Sequence, residues 1–150
     1  MALRKYEQRW APELESALGE PILRCIAMNT VGVHSRMNSE RSTLTLRPFL
    51  MVDGEKHTRI PQTMFLTLTP TRVLITETKS TFLHGFKPRL DAPILVLQRG
   101  DSKITATESG KIWFYLLQSV SLRAQLELEL LSTGGIAAEL AQQLRAFAEV

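Results

Sequence analysis

The chain has 150 residues, of which 44% are hydrophobic and 22% are charged, with a net charge of +3 at pH 7. These proportions are ordinary for a globular protein, and the length suits one domain, residues 1–150, that buries a core without disulfides or metal. The mean hydropathy of −0.03 argues against both disorder and membrane insertion. The mild charge falls short of the polybasic character that would make nucleic acid the leading partner.

The cysteine content and the N-terminal residues indicate the cellular compartment. Cys25 is the only cysteine, so an intramolecular disulfide is excluded, and a lone cysteine in an apolar strand is usually a small buried hydrophobe. Since no apolar segment follows Arg4 and Lys5, we expect no secretory signal. These features suit a reducing, cytoplasmic location.

Residues 1–20 are interpreted as an N-terminal helical extension. Pro12 is tolerated only near the start of a helix, so the sequence predicts a short helix over 11–18, with a looser segment before it and a stop at Gly19. The extension is expected to pack on its own barrel or on a second copy, which would form a homodimer. A membrane-surface helix is weakened by its acidic residues. The apolar stripe comprises Leu3, Tyr6, Trp10, Leu14 and Leu18.

The first strand is predicted over residues 22–31. Residues 32–42 are polar and short of large hydrophobes, which predicts a mobile loop. Residues 43–60 predict a hairpin, because Asp53-Gly54 is a dipeptide that two-residue type I′ turns favour. Pro48 weakens the first strand of this hairpin or places it at an edge.

Further strands follow with short turns, at about 64–69, 72–79, 93–99, 102–109, 111–118 and 121–131. The last is the clearest, because leucines alternate with charged and amide residues, which predicts one buried and one solvated face. Residues 111–118 are apolar on both faces and predict a central strand. Residues 80–91 predict a short strand or only a loop. Apolar residues spaced by four, four and three predict a closing helix over 134–148.

This order of elements resembles the pleckstrin-homology-like (PH-like) superfold, and residues 68–76 (LTPTRVLIT) look like the LT-x-x-R-hydrophobic hairpin of its bacterial members. The resemblance spans roughly residues 22–148. It implies an α+β, mainly β fold: a seven-stranded antiparallel barrel or sandwich with a C-terminal helix capping one open end. The N-terminal helical segment and the hairpin at 43–60 are additions. This superfold hosts lipid, peptide and protein binders alike.

Catalytic and metal chemistry have little support, so we expect no enzyme activity, no metal and no cofactor. Cys25 is interpreted as a core residue rather than a nucleophile. Glu127 and Glu129 share one strand face and are interpreted as solvated rather than as a catalytic pair. An enzyme site gathered from distant loops is an alternative. The histidines lie in separate segments without metal-ligand spacing: His34, His57 and His84.

Two regions favour binding. In the PH-like superfold, the loop between the first two strands commonly binds phosphorylated lipid headgroups, and arginine and lysine suit phosphate oxygens. Here that stretch carries the candidate ligand-binding residues Arg36, Arg41, Arg47, Lys56 and Arg59. A second basic region, Lys79, Lys87 and Arg89, is interleaved with Phe82 and Phe86. Such interleaving can stack nucleic acid bases, but we expect the two phenylalanines to be buried and to hold a loop to the core.

We therefore predict a non-catalytic intracellular binding or adaptor module that recognises a protein or peptide partner, for example by adding a strand to an open sheet edge. One alternative is a peripheral binder of anionic lipid or phosphate headgroups through the basic 34–59 region. Another is a homo-oligomeric structural protein.

Overall fold

The computed structural model describes residues 3–31 and 49–149. Within these residues the chain is mainly β, and every strand predicted after residue 60 is present. The helices are α1 (Lys5–Gln8), α2 (Ala11–Leu18) and α3 (Ile136–Ala148). The strands are β1 (Arg24–Thr30), β2 (Phe49–Val52), β3 (Glu55–Arg59), β4 (Thr63–Leu68), β5 (Arg72–Thr81), β6 (Gly85–Gln98), β7 (Ser102–Ser109), β8 (Ile112–Ser119) and β9 (Ala124–Leu131).

Seven strands form a curled antiparallel sheet, a half-barrel in the order β6-β5-β4-β1-β9-β8-β7. One edge of β9 pairs with β8 along its whole length. The other edge pairs first with β2, at Met51 and Val52, and then with β1, at Asn29 and Thr30. The short β2–β3 hairpin is therefore an addition that continues the line of β1 along β9.

The concave face of the sheet holds the main core, and α3 covers it. Leu66, Leu117, Leu126, Leu140 and Leu144 are almost completely buried there. Fully burying a leucine side chain contributes roughly 1.5–3 kcal/mol, so this alternation of apolar residues supplies much of the driving force for the curl.

A buried tyrosine connects β8 to α3. The Tyr115 hydroxyl donates a hydrogen bond of 2.6 Å to the carbonyl oxygen of Ala137. Burial raises the pKa of Tyr115 above its ordinary value, so this phenol stays protonated and remains a donor. The predicted closing helix is thus confirmed and is tied to β8. The prediction that residues 111–118 form a central strand is wrong in position, because β8 lies next to the edge strand β7.

The N-terminal extension packs on the opposite, convex face of its own sheet. Ala11 and Leu14 of α2 form a second apolar cluster with Ile22, Cys25 and Phe65. Of the two packing arrangements predicted for this extension, the structure shows the one within the same chain. No helix among the described residues has the length and apolar character needed to cross a membrane.

A buried ion pair holds α1 to β1. The Glu7 and Arg24 side chains are fully buried, with Arg24 Nε 3.2 Å from Glu7 Oε2. The same carboxylate oxygen accepts a 2.8 Å hydrogen bond from the backbone N–H of Cys25. Arg24 also reaches Glu139 of α3 at 3.2 Å, and Arg4 reaches that glutamate at 2.9 Å. Glu7 and Arg24 therefore each have an opposite charge beside them, which offsets the cost of burying them.

The LTPTR sequence forms the tight turn between β4 and β5. The Thr69 hydroxyl accepts a 3.1 Å hydrogen bond from the Arg72 backbone N–H. Arg72 Nε then donates to Glu20 at 2.8 Å, and the Thr71 hydroxyl donates to the same carboxylate. The motif thus fixes the end of α2 against the start of β5.

Two details of the predicted last strand are wrong. It begins at Ala124 rather than near 121, because Arg123 has a φ of 52° in the turn before it and Leu122 is 59% exposed. Glu129 is fully buried rather than solvated, because β1 and β8 flank it on both sides, with Asn29 and Phe114 as its register partners.

The other predicted strands and helices begin and end near their observed bounds, except that β6 is longer than predicted. β6 starts at Gly85 and runs for 14 residues, so the uncertain stretch 80–91 is mostly strand. In the predicted hairpin, Asp53 and Gly54 have positive φ values of 54° and 78°, the type I′ conformation that joins β2 to β3. The part of that hairpin before residue 49, and the predicted mobile loop at 32–42, lie outside the described residues.

Candidate functional site

The predicted basic site is only partly visible. Arg36, Arg41 and Arg47 lie outside the described residues. Lys56 and Arg59 lie on β3, all five residues of which are exposed. Lys56 Nζ lies 4.7 Å from the centre of the Phe49 ring, so this cation packs along its own hairpin.

The residues weighed for catalysis and metal binding do not come together. Cys25 is completely buried, and burial, with a smaller contribution from the Glu7 carboxylate, raises its pKa to about 12. The thiol is therefore protonated at neutral pH and is a poor nucleophile. Within residues 3–31 and 49–149, no group of three or more histidine, cysteine, aspartate or glutamate side chains is placed to hold a metal ion.

The most distinctive surface is the outer part of the β5–β6 hairpin. β4 pairs with β5 only from Val73 to Thr76, whereas β5 and β6 remain paired up to Thr81 and Gly85. Residues 77–89 therefore extend beyond their neighbour as a two-stranded projection, which we call the finger.

The tip of the finger carries large apolar side chains in solvent. Phe82 is 100% exposed, Leu83 is 76% exposed and Phe86 is 42% exposed. The expectation that the two phenylalanines are buried is therefore wrong. The finger projects past the sheet, so no core lies beneath its tip. Contiguous exposed apolar groups of this kind mark interaction surfaces more often than chance.

The tip is nevertheless an ordered turn. The Thr81 hydroxyl donates to the carbonyl oxygen of Gly85 at 2.8 Å and accepts from the backbone N–H of His84 at 3.0 Å. Gly85 has a φ of 71°, a conformation that a residue with a side chain rarely adopts. These bonds hold Phe82 and Leu83 outward, at the farthest point of the hairpin.

Cations lie behind the apolar tip. Residues 79–89 contain Lys79, Lys87 and Arg89 and no carboxylate. Lys87 pairs with Glu13 at 3.3 Å and Arg89 with Asp91 at 3.2 Å. The hydrogen bond from Arg89 holds the pKa of Asp91 below its ordinary value. Both pairs are exposed, and such pairs typically contribute about 0–1 kcal/mol, so an external anion can compete for either cation.

The N-terminal extension supports the base of the finger. Lys87 Nζ lies 5.9 Å from the centre of the Trp10 ring. Leu90 packs against the apolar cluster under α2. An open groove of about 900 Å3 runs between α2 and the finger, with Glu13 and Leu14 on one side and Thr78 and Lys79 on the other. The finger is therefore held from one side while its tip stays in solvent.

Comparison with known proteins gives no functional assignment, so the function is argued from the geometry of the finger. Neither protein-family models nor curated proteins give a match to the chain. The sequence did contain a signal for the finger, because Phe82, Leu83 and Phe86 cluster around a turn glycine instead of alternating. This clustering indicates a turn, but the exposure of the tip follows only from the extension of the hairpin beyond the end of its pairing with β4.

Proposed function

We propose that the chain is a PH-like, non-catalytic module that docks on an anionic membrane surface through its finger. The proposal is carried by one observation: an ordered, projecting turn exposes Phe82 and Leu83, with Lys79, Lys87 and Arg89 behind them. The apolar tip suits the boundary between headgroups and acyl chains, and the cations suit the anionic headgroups above it.

The assignment to the PH-like superfold is supported by strand order. The curled antiparallel half-barrel of seven strands with a C-terminal helix is compatible with the fold that the sequence resemblance implies. The superfold does not determine the ligand, so the function is argued from the finger.

The expected strength is that of weak, reversible docking. Full burial of Phe82 or Leu83 contributes roughly 1.5–3 kcal/mol each, and insertion at the interface gives less. Each cation near an anionic membrane surface adds about 1 kcal/mol. The total is comparable with that of a single acyl chain, which by itself gives only marginal membrane binding.

A membrane fits the finger better than a protein partner does. The tip is convex and offers three large apolar side chains, whereas a stable protein interface buries about 800 Å2 on each partner. A bilayer needs no complementary pocket. The predicted protein or peptide adaptor and the homo-oligomer remain the alternative outcomes of the experiment.

Vesicle co-sedimentation tests the proposal with a matched pair of charge variants. Vesicles of phosphatidylcholine alone and with phosphatidylglycerol are compared at low and high salt. Wild type is expected to bind the anionic vesicles and to be released by salt. Lys79→Gln/Lys87→Gln is expected to lose about thirtyfold in binding, because each cation contributes about 1 kcal/mol. Lys56→Gln/Arg59→Gln makes the same change in net charge on the β2–β3 hairpin and is expected to bind within twofold of wild type.

The other outcomes are equally informative. No binding of wild type at low salt would overturn membrane docking and favour a protein partner. A loss confined to Lys56→Gln/Arg59→Gln would assign docking to the originally predicted basic region. A micromolar dimer in sedimentation velocity would support the homo-oligomeric alternative.

A further inference from the structure

The finger places two lysines directly opposite each other. Lys79 of β5 and Lys87 of β6 are register partners, and both line the groove between α2 and the finger. Directly opposite residues of an antiparallel pair have Cβ atoms about 4.5–5.5 Å apart, and like charges at these positions destabilise the pairing. Among the strand pairings of the described residues, no other register pair carries like charges.

The next charged pair on the same face of the finger has the ordinary arrangement. Glu77 and Arg89 are also register partners, two residues farther from the tip, and their charges are opposite. Side chains two residues apart on a strand share a face, so the two pairs lie side by side. One pair is thus neutralised across the hairpin, whereas the other is left doubly positive. A local rule broken in this way is typical of a functional site.

The rest of the protein neutralises the lysine pair only in part. Lys87 Nζ lies 3.3 Å from Glu13 Oε1, and the Glu13 side chain is 60% exposed. Lys79 is exposed, and within residues 3–31 and 49–149 it forms no salt bridge. Exposed ion pairs are weak. An anion from solvent therefore has access to both ammonium groups from the open side of the groove and needs to displace only one weakly held carboxylate.

We infer that Lys79 and Lys87 together bind the phosphate monoester of a lipid headgroup, such as that of phosphatidic acid. This inference rests on the proposed membrane docking and names the headgroup that the finger selects. A phosphate monoester carries about 1.5–2 negative charges at pH 7 and has three strong acceptor oxygens. One such group neutralises both ammonium groups and accepts a charge-assisted hydrogen bond from each. A phosphodiester headgroup carries a single negative charge and leaves the pair half neutralised.

The position of the two lysines along the finger suits this headgroup. Lys79 precedes Phe82 by three residues, which corresponds to about 10 Å along a strand. Apolar groups at a membrane surface are buried about 5–10 Å deep, at the boundary between headgroups and acyl chains. With Phe82 and Leu83 at that boundary, the ammonium groups lie at the level of the phosphates.

Co-sedimentation with two kinds of vesicle tests the headgroup. Both contain phosphatidylcholine, with either phosphatidic acid or phosphatidylglycerol added until the two have the same zeta potential, so they differ in headgroup chemistry and not in surface charge. The full chain is expected to bind the phosphatidic acid vesicles about tenfold more tightly. Equal binding to both would overturn the headgroup assignment and leave membrane docking intact, whereas no binding to either would overturn the docking itself.

A matched pair of variants assigns the preference to the lysine pair. Lys79→Gln and Arg89→Gln each remove one positive charge from the finger. Lys79→Gln is expected to reduce the preference for phosphatidic acid from about tenfold to near unity. Arg89→Gln is expected to weaken binding to both vesicles alike and to keep the preference within twofold of that of wild type. An equal loss of preference in the two variants would show general charge attraction and would contradict the lysine site.

Thermal unfolding without vesicles gives an independent test of the repulsion. Lys79→Gln is expected to raise the melting temperature at low salt by about 1–3 °C, because it removes a like-charge pair. Arg89→Gln is expected to lower it slightly, because Arg89 lies opposite Glu77. A fall of several degrees in Lys79→Gln would show that Lys79 stabilises the fold and would contradict the repulsive pair.

Glycerol 3-phosphate distinguishes a lipid headgroup from a soluble phosphate monoester. Titration of the full chain, followed by NMR signals of the lysine side chains, is expected to give a Kd of about 1–10 mM, since this probe makes no apolar contact with the tip. Binding as tight as that of the vesicles, lost in Lys79→Gln, would assign the pair to a soluble phosphate monoester. No response of either lysine would overturn the site, whatever the outcome with vesicles.

Discussion

Two hairpins project from this half-barrel, and they differ in what they expose. The β2–β3 hairpin ends in a tight Asp53-Gly54 turn, and its outer strand is polar and exposed throughout. The finger has a similar number of cations, but its tip is apolar. Scattered surface charges occur on most soluble proteins and need no explanation. The finger combines an exposed apolar tip with cations and no carboxylate within residues 79–89, and the docking proposal rests on that combination.

The two hairpins also differ in how they are held. β2 joins the main sheet through two residue pairs with β9, whereas the finger continues β5 and β6, which share ten pairs. The finger is also supported by the N-terminal extension, through Glu13 and Trp10. A binding element on a rigid scaffold loses less conformational entropy on contact, which favours the finger again.

The largest expected effect is in cysteine labelling, which compares how far anionic vesicles protect the finger and the β2–β3 hairpin. Cys25 is buried and has a pKa of about 12, so near pH 8.5 its thiolate fraction is about 10³-fold smaller than that of an ordinary cysteine. Native Cys25 is therefore expected to stay silent, and a cysteine introduced by Leu83→Cys or by Thr58→Cys is expected to react with a maleimide within minutes. Mass spectrometry measures the labelling with and without anionic vesicles. Vesicles are expected to protect position 83 and not position 58; the reverse pattern would contradict docking by the finger.

Core and tip substitutions are expected to differ strongly in their effect on the free energy of unfolding. Leu66→Ala removes a completely buried side chain and is expected to lower the free energy of unfolding by about 3 kcal/mol. Phe82→Ala removes a larger side chain from full exposure and is expected to change it by less than about 0.5 kcal/mol. Urea denaturation measures both. A loss above about 1 kcal/mol for Phe82→Ala would show that the tip packs on the protein.

A tryptophan reporter measures insertion directly. Phe82→Trp preserves an aromatic tip, so vesicle affinity is expected to stay within about threefold of wild type, because tryptophan suits the membrane interface. After subtraction of the wild-type spectrum, which comes from Trp10 and Trp113, the emission of the introduced tryptophan is expected to shift to shorter wavelengths on anionic vesicles and to be quenched by brominated lipids. Lys56→Trp on β3 serves as the control, and an equal shift there would remove the distinction between the hairpins.

The smallest effect concerns the hydrogen bonds that join the end of α2 to the start of β5, at acid pH. The hydrogen bond from Thr71, followed by those from Arg72 and Thr69, holds the pKa of Glu20 below its ordinary value of 4.5. A lowered folded-state pKa stabilises the fold above about pH 4.5, and this contribution is lost as the pH falls through the folded value. Glu20→Gln is expected to lower the melting temperature by a few degrees at pH 7 and to leave it nearly unchanged at pH 3. A larger effect at pH 3 would contradict the assigned hydrogen bonds.

The succession of strands along the chain and the closing helix were predictable from the local spacing of apolar residues. Alternation in residues 124–130 and the spacing of Ile136, Leu140, Leu144 and Phe147 depend only on the repeat of a strand and of a helix. Asp53-Gly54 was predictable for the same reason, because a type I′ turn requires positive φ at adjacent residues. Each of these features is encoded within about ten residues.

The exposure of individual side chains was not predictable in this way. Glu129 alternates like its solvated neighbours, yet β1 and β8 bury it. Phe82 resembles a core residue in composition, yet the finger extends past β4 and nothing in the described structure covers it. The groove between α2 and the finger joins residues more than 60 positions apart, such as Glu13 and Thr78. Local periodicity is a property of neighbouring residues, whereas burial depends on which distant segment packs above each one, and only the folded chain decides that.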